Sequence, residues 1–243
     1  MESESGWAAG LAGVGGFVDA AGFLILLGLF TAHMSGNSTG LGVALATGDW
    51  SEALRRGFVI PVFVLATAGG VVWIEGCSGS RAGSELQNRA MAGLLLGEVA
   101  LLAVVMGLTL RTGFPVSPAG HPGVYFTVAA SAALAMGFQN ATLRKVQSTG
   151  VHTTFVTGML TELAVSAVRW RLHARRGDRD QALRARAAAG LAGRVWASYV
   201  LGAIAGAWLV HRHGAWTLAL PMACLVGIAG ALWRTPATSA RGH

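Results

Sequence analysis

Charged residues are scarce in this sequence. They make up 12% of the chain, against 53% hydrophobic residues, and the mean hydropathy is +0.54. Because soluble globular domains carry roughly 25% charged residues, this composition excludes that class and predicts an integral membrane protein. Apolar runs of about 20 residues, long enough to cross a hydrocarbon core roughly 30 Å thick, recur from end to end. They leave no room for a large soluble domain.

Cysteine and the common catalytic motifs are also rare or missing. Cys77 and Cys224 are the only two cysteines and form no CxxC pair, so they predict neither a redox centre nor a metal site. The sequence contains no P-loop and no HExxH motif, which argues against phosphate binding and zinc-dependent hydrolysis. We therefore expect no enzyme activity, no cofactor and no bound metal.

Basic residues are absent from the N-terminal stretch MESESGWAAG. A secretory signal begins with basic residues, so we expect the first apolar run to be retained as a span. Of the 18 Lys and Arg residues, eight lie between Arg169 and Arg194. This concentration is typical of a cytoplasmic loop and predicts a basic linker at about residues 172–190, not a nucleic-acid-binding surface.

The apolar pattern predicts an all-α, polytopic transmembrane bundle formed by a single domain, residues 1–243. The eight candidate helices lie at about 8–30, 33–48, 57–76, 91–110, 124–144, 150–171, 191–211 and 215–233. The second is short and polar, so it could span, break or re-enter the membrane. Six to eight crossings are compatible with the sequence, and we favour eight.

Four short motifs recur in the same order and predict two related halves, at about residues 8–110 and 124–233. GFVDA at 16–20 returns as GFQNA at 137–141, TAHMSGN at 31–37 as TTFVTGM at 153–159, EALRRG at 52–57 as QALRAR at 181–186, and FVLATAGG at 63–70 as YVLGAIAG at 199–206. Four crossings per half would make the halves parallel, whereas three would make them inverted.

The distribution of Lys and Arg predicts the orientation but not the number of crossings. Eight crossings place 13 of these residues on the N-terminal side and five opposite, whereas six crossings place 14 and four. Both counts predict a multi-pass membrane protein with its two termini in the cytoplasm.

Asp19 is the most informative polar residue, because a carboxylate inside an apolar segment should face the bundle or a water-filled cavity. One interpretation is functional: Asp19 binds a proton, a cation or an amino group. The other is structural: Asp19 and its repeat counterpart Asn140 hydrogen-bond to each other or cap a broken helix, and so fix the two halves.

The remaining candidates lie in the same motifs. His33 and Asn37 are four residues apart and share a helical face, and His33 could titrate near neutral pH or simply hydrogen-bond. Thr157 lies in the recurring TTFVTGM motif together with Thr153 and Thr154, and Glu162 follows this motif. Glu98 needs a partner from elsewhere in the fold or must stay protonated. The predicted central site comprises Asp19, His33, Asn37, Gln139, Asn140, Thr157 and Glu162.

Over residues 8–233 the chain resembles the YoaK-like bacterial membrane proteins, a family defined by a domain of unknown function. The likeness rests on Gly16 to Ala20, on Thr31 with Met34 to Asn37, and on GFQNA followed by Thr153, Thr154, Thr157 and Gly158. It implies an all-helical membrane protein with about six spans and little about its chemistry.

Given this resemblance, the leading functional hypothesis is a transporter or channel-like carrier of the bacterial inner membrane for a small solute, with a polar site near the bilayer midplane between the two halves. Asp19 and Glu162 would couple a proton or cation, and the amides and hydroxyls would recognise the solute. The alternative is a non-transporting scaffold or sensor whose polar core is structural. The partners expected are the lipid bilayer and the solute, with no nucleic acid, and a homo-oligomer is compatible with the sequence.

Overall fold

The computed structural model describes residues 2–77, 84–146 and 156–234, and these residues form helices joined by short connections. The helices are α1 (Glu2–Ile25), α2 (Met34–Thr47), α3 (Trp50–Cys77), α4 (Ser84–Thr112), α5 (Pro122–Val146), α6 (Val156–Arg175), α7 (Arg179–His213) and α8 (Ala219–Arg234), with a 3₁₀ turn at Gly214–Leu218. No strand occurs in the part of the chain that is described. The predicted all-α helical bundle is confirmed.

Several helices are long and apolar enough to cross a membrane. Among the described residues four segments meet this condition, namely Gly6–Ile25, Trp50–Cys77, Glu85–Thr112 and Arg179–Arg234, and the last contains both α7 and α8. Large apolar side chains on these helices point outward, as Leu65 (71% exposed), Val72 (70%) and Leu201 (66%) do. A bundle that is apolar on its outside as well as inside is a membrane protein.

The helix boundaries differ from the predicted ones where the backbone breaks or a side chain caps a helix. The first helix ends at Ile25 instead of continuing to residue 30, because Leu27 and Gly28 adopt positive φ angles of 55° and 88°. The third begins at Trp50, since the carboxylate of Asp49 accepts a hydrogen bond from the Glu52 N–H at 3.0 Å. Such a bond satisfies one of the unpaired N–H groups of the first turn.

The predicted basic linker at 172–190 is largely helical. It comprises the end of α6, a short turn, and the first turns of α7. Helix α7 begins at Arg179 because the Asp178 carboxylate caps it by accepting from the Gln181 N–H at 3.2 Å. The composition of this region correctly marked it as polar, but an Ala- and Arg-rich stretch is also a good helix former.

Glycines bring α1 and α7 into backbone contact. A Cβ atom at Gly16 would lie 2.0 Å from the carbonyl oxygen of Tyr199, and one at Gly202 would lie 2.0 Å from that of Gly13. A Cβ at Gly206 would lie 2.4 Å from the Phe17 carbonyl. Gly13 thus lies at Gly202 and Phe17 at Gly206, four residues further along each helix. Helices α1 and α7 therefore run parallel, packed through small residues as membrane helices often are.

Helices α3 and α5 pack in a similar way. A Cβ at Gly137 would lie 2.5 Å from the Ala66 Cβ and 3.0 Å from the Phe63 carbonyl oxygen. Further along, a Cβ at Gly70 would lie 2.7 Å from the Ala141 Cβ, so these two helices also run parallel. Helix α4 packs against α5 and α8, while α2 and α6 pack on α3 and α7 respectively.

Candidate functional site

The Asp19 carboxylate holds the connection between α1 and α2. The side chain is 3% exposed, and Oδ1 accepts hydrogen bonds from the Thr31 N–H at 2.9 Å, the Thr31 hydroxyl at 2.9 Å and the Ala32 N–H at 2.8 Å. The chain therefore leaves α1, loops over residues 26–33 and returns to the level of Asp19 before α2 begins. Without these bonds the loop's N–H groups would be buried with no acceptor.

The second oxygen of Asp19 joins the loop to α7. Oδ2 lies 2.5 Å from His33 Nδ1 and accepts a hydrogen bond from the Tyr199 hydroxyl at 3.0 Å. Tyr199 also lies 3.3 Å from His33 Nδ1, so the three side chains form one cluster. Together the two carboxylate oxygens receive five donors, more than the roughly four lone-pair sites of a carboxylate. Asp19 thus has no free acceptor for a solute.

His33 lies in the loop, outside the four candidate spans, with its side chain 31% exposed. Its hydrogen bond to the Asp19 carboxylate, reinforced by their opposite charges, raises the pKa of His33 even though partial burial acts the other way. Since this bond uses Nδ1, Nε2 can interact with groups outside the cluster of Asp19, His33 and Tyr199.

Asn37 also supports the loop. It is completely buried, its Nδ2 donates to the Phe30 carbonyl at 2.8 Å, and its Oδ1 accepts from the Phe30 N–H at 3.2 Å. This pair of bonds replaces those that Phe30 would make in a helix or sheet. The described contacts of Asn37 are therefore structural.

A second polar cluster closes the other end of the same loop. Arg55 of α3 donates to the Tyr125 hydroxyl at 2.9 Å and to the Leu26 carbonyl at 3.0 Å, and forms an ion pair with Glu52 at 2.7 Å. Tyr125 of α5 also donates to Leu26, at 3.1 Å. These donors satisfy carbonyls at the C-terminal end of α1, where a positive charge is favourable. We call Arg55, Glu52, Tyr125 and Leu26 the Arg55 cluster.

A cavity of about 90 Å³ lies beside the Asp19 cluster, between α1, α3, α5, α6, α7 and the loop at 26–33. A single water needs roughly 10–15 Å³, so the cavity is large enough for more than one. Its polar lining is His33, Gln139, Asn140 and Tyr199, and its apolar lining is Leu11, Ala12, Gly15, Ala32, Phe63, Met136, Leu143, Val156, Met159, Val195 and Trp196.

Gln139 is the least satisfied polar side chain at the cavity. It is 1% exposed, and among the described residues its Nε2 has no hydrogen-bond partner. A Cβ at Gly15 would lie 2.8 Å from its Oε1, so the amide fits only because residue 15 has no side chain. Neighbouring Asn140 donates from Nδ2 to the Thr67 hydroxyl of α3, at a long 3.5 Å.

The structure thus brings three of the predicted site residues, His33, Gln139 and Asn140, to one cavity. Asp19 is connected to this cavity through His33 and Tyr199. The expected hydrogen bond between Asp19 and Asn140 is not what forms, because Asp19 binds the loop and Tyr199 whereas Asn140 binds Thr67. Their side chains contact different helices, so the predicted hydrogen bond between Asp19 and Asn140 is wrong, and two separate contacts take its place.

Two other predicted residues lie away from the cavity lining. Thr157 is exposed on α6, and Glu162 accepts a hydrogen bond from the Ser166 hydroxyl, one turn further along the same helix, at 2.5 Å. Helix α6 instead contributes Val156 and Met159 to the cavity. Thr153 and Thr154 lie outside the described residues.

Glu98 is the other buried carboxyl group. It has 0% exposure in α4, and neither of its carboxylate oxygens has a hydrogen-bond partner among the described residues. It is not part of the cavity lining. In the same described part of the chain, no group of three or more His, Cys, Asp or Glu side chains comes together as a metal site.

Tyr199 was missed by the sequence analysis. One signal was available: the chain has only two tyrosines, and this one begins the repeated YVLGAIAG motif at the position that phenylalanine occupies in FVLATAGG. The change adds one hydroxyl group, and that hydroxyl is the atom that reaches Asp19.

The comparisons with known proteins agree with this membrane architecture. The chain is 28% identical over 221 residues to a Rhizobium meliloti (strain 1021) protein named "UPF0700 transmembrane protein RA0705", covering 91% of this chain and 82% of the relative. No solved structure matches the chain. The family model described as "Protein of unknown function (DUF1275)" matches residues 7–231. This match spans nearly the whole chain, which therefore belongs to that family of membrane proteins of unknown function.

Proposed function

We propose that this protein is a carrier of the bacterial inner membrane that moves a small solute through the cavity between its two halves. The observation that carries the proposal is the cavity itself. Its polar lining, His33, Gln139, Asn140 and Tyr199, lies inside a membrane bundle whose outer surface is apolar. Polar groups in such a position are expensive to bury and mark a solute pathway by default.

A twofold relation between the halves supports the proposal. Gly16 packs against the Tyr199 carbonyl and the Ala203 nitrogen, and Gly137 packs against the Phe63 carbonyl and the Thr67 nitrogen. The repeated motifs pair Gly16 with Gly137, Phe63 with Tyr199 and Thr67 with Ala203. Each half therefore makes the same backbone contact with the other, as expected of a duplicated carrier with its site at the repeat interface.

Helix directions favour six crossings in two inverted halves. Tyr125 of α5 meets Leu26, whereas Gln139 of the same helix meets Gly15, so α5 runs opposite to α1. Helix α3 runs parallel to α5 and begins level with the end of α1, where Arg55 binds Leu26. Helix α2 therefore starts and ends without returning across the membrane.

The same argument applies to the second half. Helix α7 runs parallel to α1, and Met159 of α6 packs near the start of α1, against Ala8 and Ala12. Helix α6 thus also makes no crossing of its own. The six crossings are α1, α3, α4, α5, α7 and α8, three per half, which makes the halves inverted. This topology puts 14 of the 18 basic residues on the side of the termini, which we assign to the cytoplasm.

In this topology the cavity is directed towards the cytoplasm. Its lining includes Leu11, near the start of α1, and Leu143, near the end of α5. The Arg55 cluster closes the opposite end, where α1 finishes and α5 begins. We infer a carrier closed on the outside by these hydrogen bonds, which must break for the solute to enter from that side.

His33 is the residue best placed to couple transport to a proton. It lies in the loop at 26–33, lines the cavity and contacts the Asp19 carboxylate through Nδ1. Loss of the proton from His33 would weaken this contact and the link to Tyr199 on α7. Asp19 acts here by positioning His33, and Glu162 takes no part.

A second candidate function is favoured by one observation. Four of the five hydrogen bonds of Asp19 and the two of Asn37 to Phe30 hold the loop at 26–33 in place, and the fifth ties Asp19 to Tyr199 of α7. A scaffold or sensor with no solute would need only this structural role of its polar core.

Solute-dependent swelling of proteoliposomes separates the two candidates. Vesicles with purified protein are mixed with iso-osmotic panels of small amides, alcohols, amino acids and carboxylates, and light scattering follows water entry. We expect at least one solute to enter faster than into protein-free vesicles, and Gln139→Met to remove the difference. Gln181→Met, at an exposed position of α7, is the matched control and should retain it. Equal rates with and without folded protein for the whole panel would contradict the carrier and favour the scaffold.

A further inference from the structure

The described lining of the cavity carries no Asp, Glu, Lys or Arg side chain. Its one titratable imidazole, His33, is already paired with the Asp19 carboxylate at 2.5 Å, so the two together are neutral when His33 is protonated. A charged solute in a site of low dielectric needs an opposite charge nearby, because its desolvation is otherwise uncompensated. While His33 holds its proton, the described lining offers no net charge, and so it favours an uncharged solute.

The side-chain amide of Gln139 at the cavity needs a hydrogen-bond acceptor. Gln139 Nε2 is a buried donor without a partner among the described residues, and its amide is held beside Gly15. Native proteins rarely leave such a donor unpaired, since the lost hydrogen bond with water is not replaced. Because this nitrogen has almost no accessible surface, an acceptor oxygen of a solute can satisfy it once the amide turns about its last bond to face the cavity.

The rest of the lining limits the size and polarity of the solute. The cavity of about 90 Å³ is walled mainly by apolar side chains, among them Phe63, Met136 and Trp196. Small-molecule sites combine such walls with a few polar groups that fix orientation. The complementary solute has a short apolar part and one polar end.

We propose that this site binds a small uncharged solute with a carbonyl oxygen next to a short apolar group, as in a short-chain amide. The carbonyl oxygen accepts from Gln139 Nε2, and the apolar part lies against Phe63 and Trp196. The proposal rests on the proposed function only for the location of the site, because binding can be measured without transport.

The test uses three probes of similar shape: isobutyramide, isobutyrate and isobutylammonium. Each is added to the full-length protein in lipid nanodiscs, and the melting temperature is recorded over a series of probe concentrations, since a ligand that binds the native state raises it. We expect isobutyramide alone to raise it, with about tenfold weaker apparent binding in Gln139→Met, as loss of one hydrogen bond implies. Gln181→Met should bind as the wild type does.

A structural role for Gln139 predicts a different pattern. Gln139→Met would then lower the melting temperature in the absence of any probe, whereas loss of an unpaired donor should not. Stronger binding of isobutyrate or isobutylammonium, or unchanged isobutyramide binding in Gln139→Met, would overturn the proposal. Isobutyramide binding without any flux would contradict the carrier function and support the proposed ligand class. Flux of other solutes without isobutyramide binding would support the carrier function and contradict the proposed ligand class.

Discussion

Replacing Asp19 with asparagine isolates the part of the polar cluster that ties the loop to α7. Asparagine has one side-chain oxygen, and this atom would take the place of Oδ1, which accepts from Thr31 and Ala32 at 2.8–2.9 Å. In the place of Oδ2 the amide would present an NH₂ group, so the protonated Nδ1 of His33 loses its acceptor and the Tyr199 hydroxyl must turn from donating to accepting. The bonds to Thr31 and Ala32 are thus retained while the charge-assisted contact with His33 is lost.

The size of the effect follows from the contact with protonated His33. A hydrogen bond to a charged group contributes about 1.5–3 kcal/mol to stability. Because the His33 side chain is partly exposed, we expect Asp19→Asn to lower the free energy of unfolding by about 1–3 kcal/mol. The assay is equilibrium unfolding at pH 6 in mixed micelles with increasing SDS, followed by tryptophan fluorescence.

The control is Asp49→Asn. Asp49 is an exposed carboxylate that caps α3 through the Glu52 N–H, and asparagine caps helices about as well as aspartate, so we expect a change below about 0.5 kcal/mol. If Asp19→Asn unfolds with the wild-type midpoint, or if both variants lose the same stability, the description of Asp19 as the joint between loop and α7 is wrong.

Three further outcomes are expected. Because Asp19 raises the pKa of His33, the stability from this pair is fully present below the unfolded pKa of about 6.5 and is lost as pH rises through the folded pKa. The difference in free energy of unfolding between the wild type and His33→Gln should therefore decrease with increasing pH, and a difference that stays constant with pH would refute this. Gly202→Ala should cost more than about 2 kcal/mol by overpacking the Gly13 carbonyl, whereas Gly190→Ala, with open space around it, should be neutral or stabilising. Without ligand, Gln139→Met should unfold at an SDS concentration no lower than the wild type's, and should be stabilised by up to about 1–3 kcal/mol; destabilisation would assign Gln139 a structural bond.

Much of the fold was predictable because it depends on properties of single segments. The scarcity of charge and the length of the apolar runs predicted a helical membrane bundle, and the described residues form one. Helix ends were predicted less well. The first helix ends at Ile25 within an apolar run, because a backbone break at Leu27 and Gly28 leaves no hydrophobicity signal.

The candidate site was predictable only in part, for a related reason. Asp19, His33 and Asn37 stood out because polar side chains in apolar sequence need partners, and each has them. The identity of those partners could not be inferred. Asp19 was expected to meet Asn140, its repeat counterpart, yet binds Tyr199, which is 180 residues away and belongs to a different helix.

The sequence by itself determined that this chain lies in a membrane, folds into helices and keeps a few polar groups among them, since these follow from composition and local spacing. Tertiary structure alone decided that His33, Gln139 and Asn140 share a cavity, that Asp19 faces the loop and α7, and that Gln139 Nε2 has no hydrogen-bond partner within the described part of the chain. Spacing along a helix fixes which residues share a face. Which helix covers that face depends on how closely the backbones approach, as Gly16 and Gly202 allow between α1 and α7.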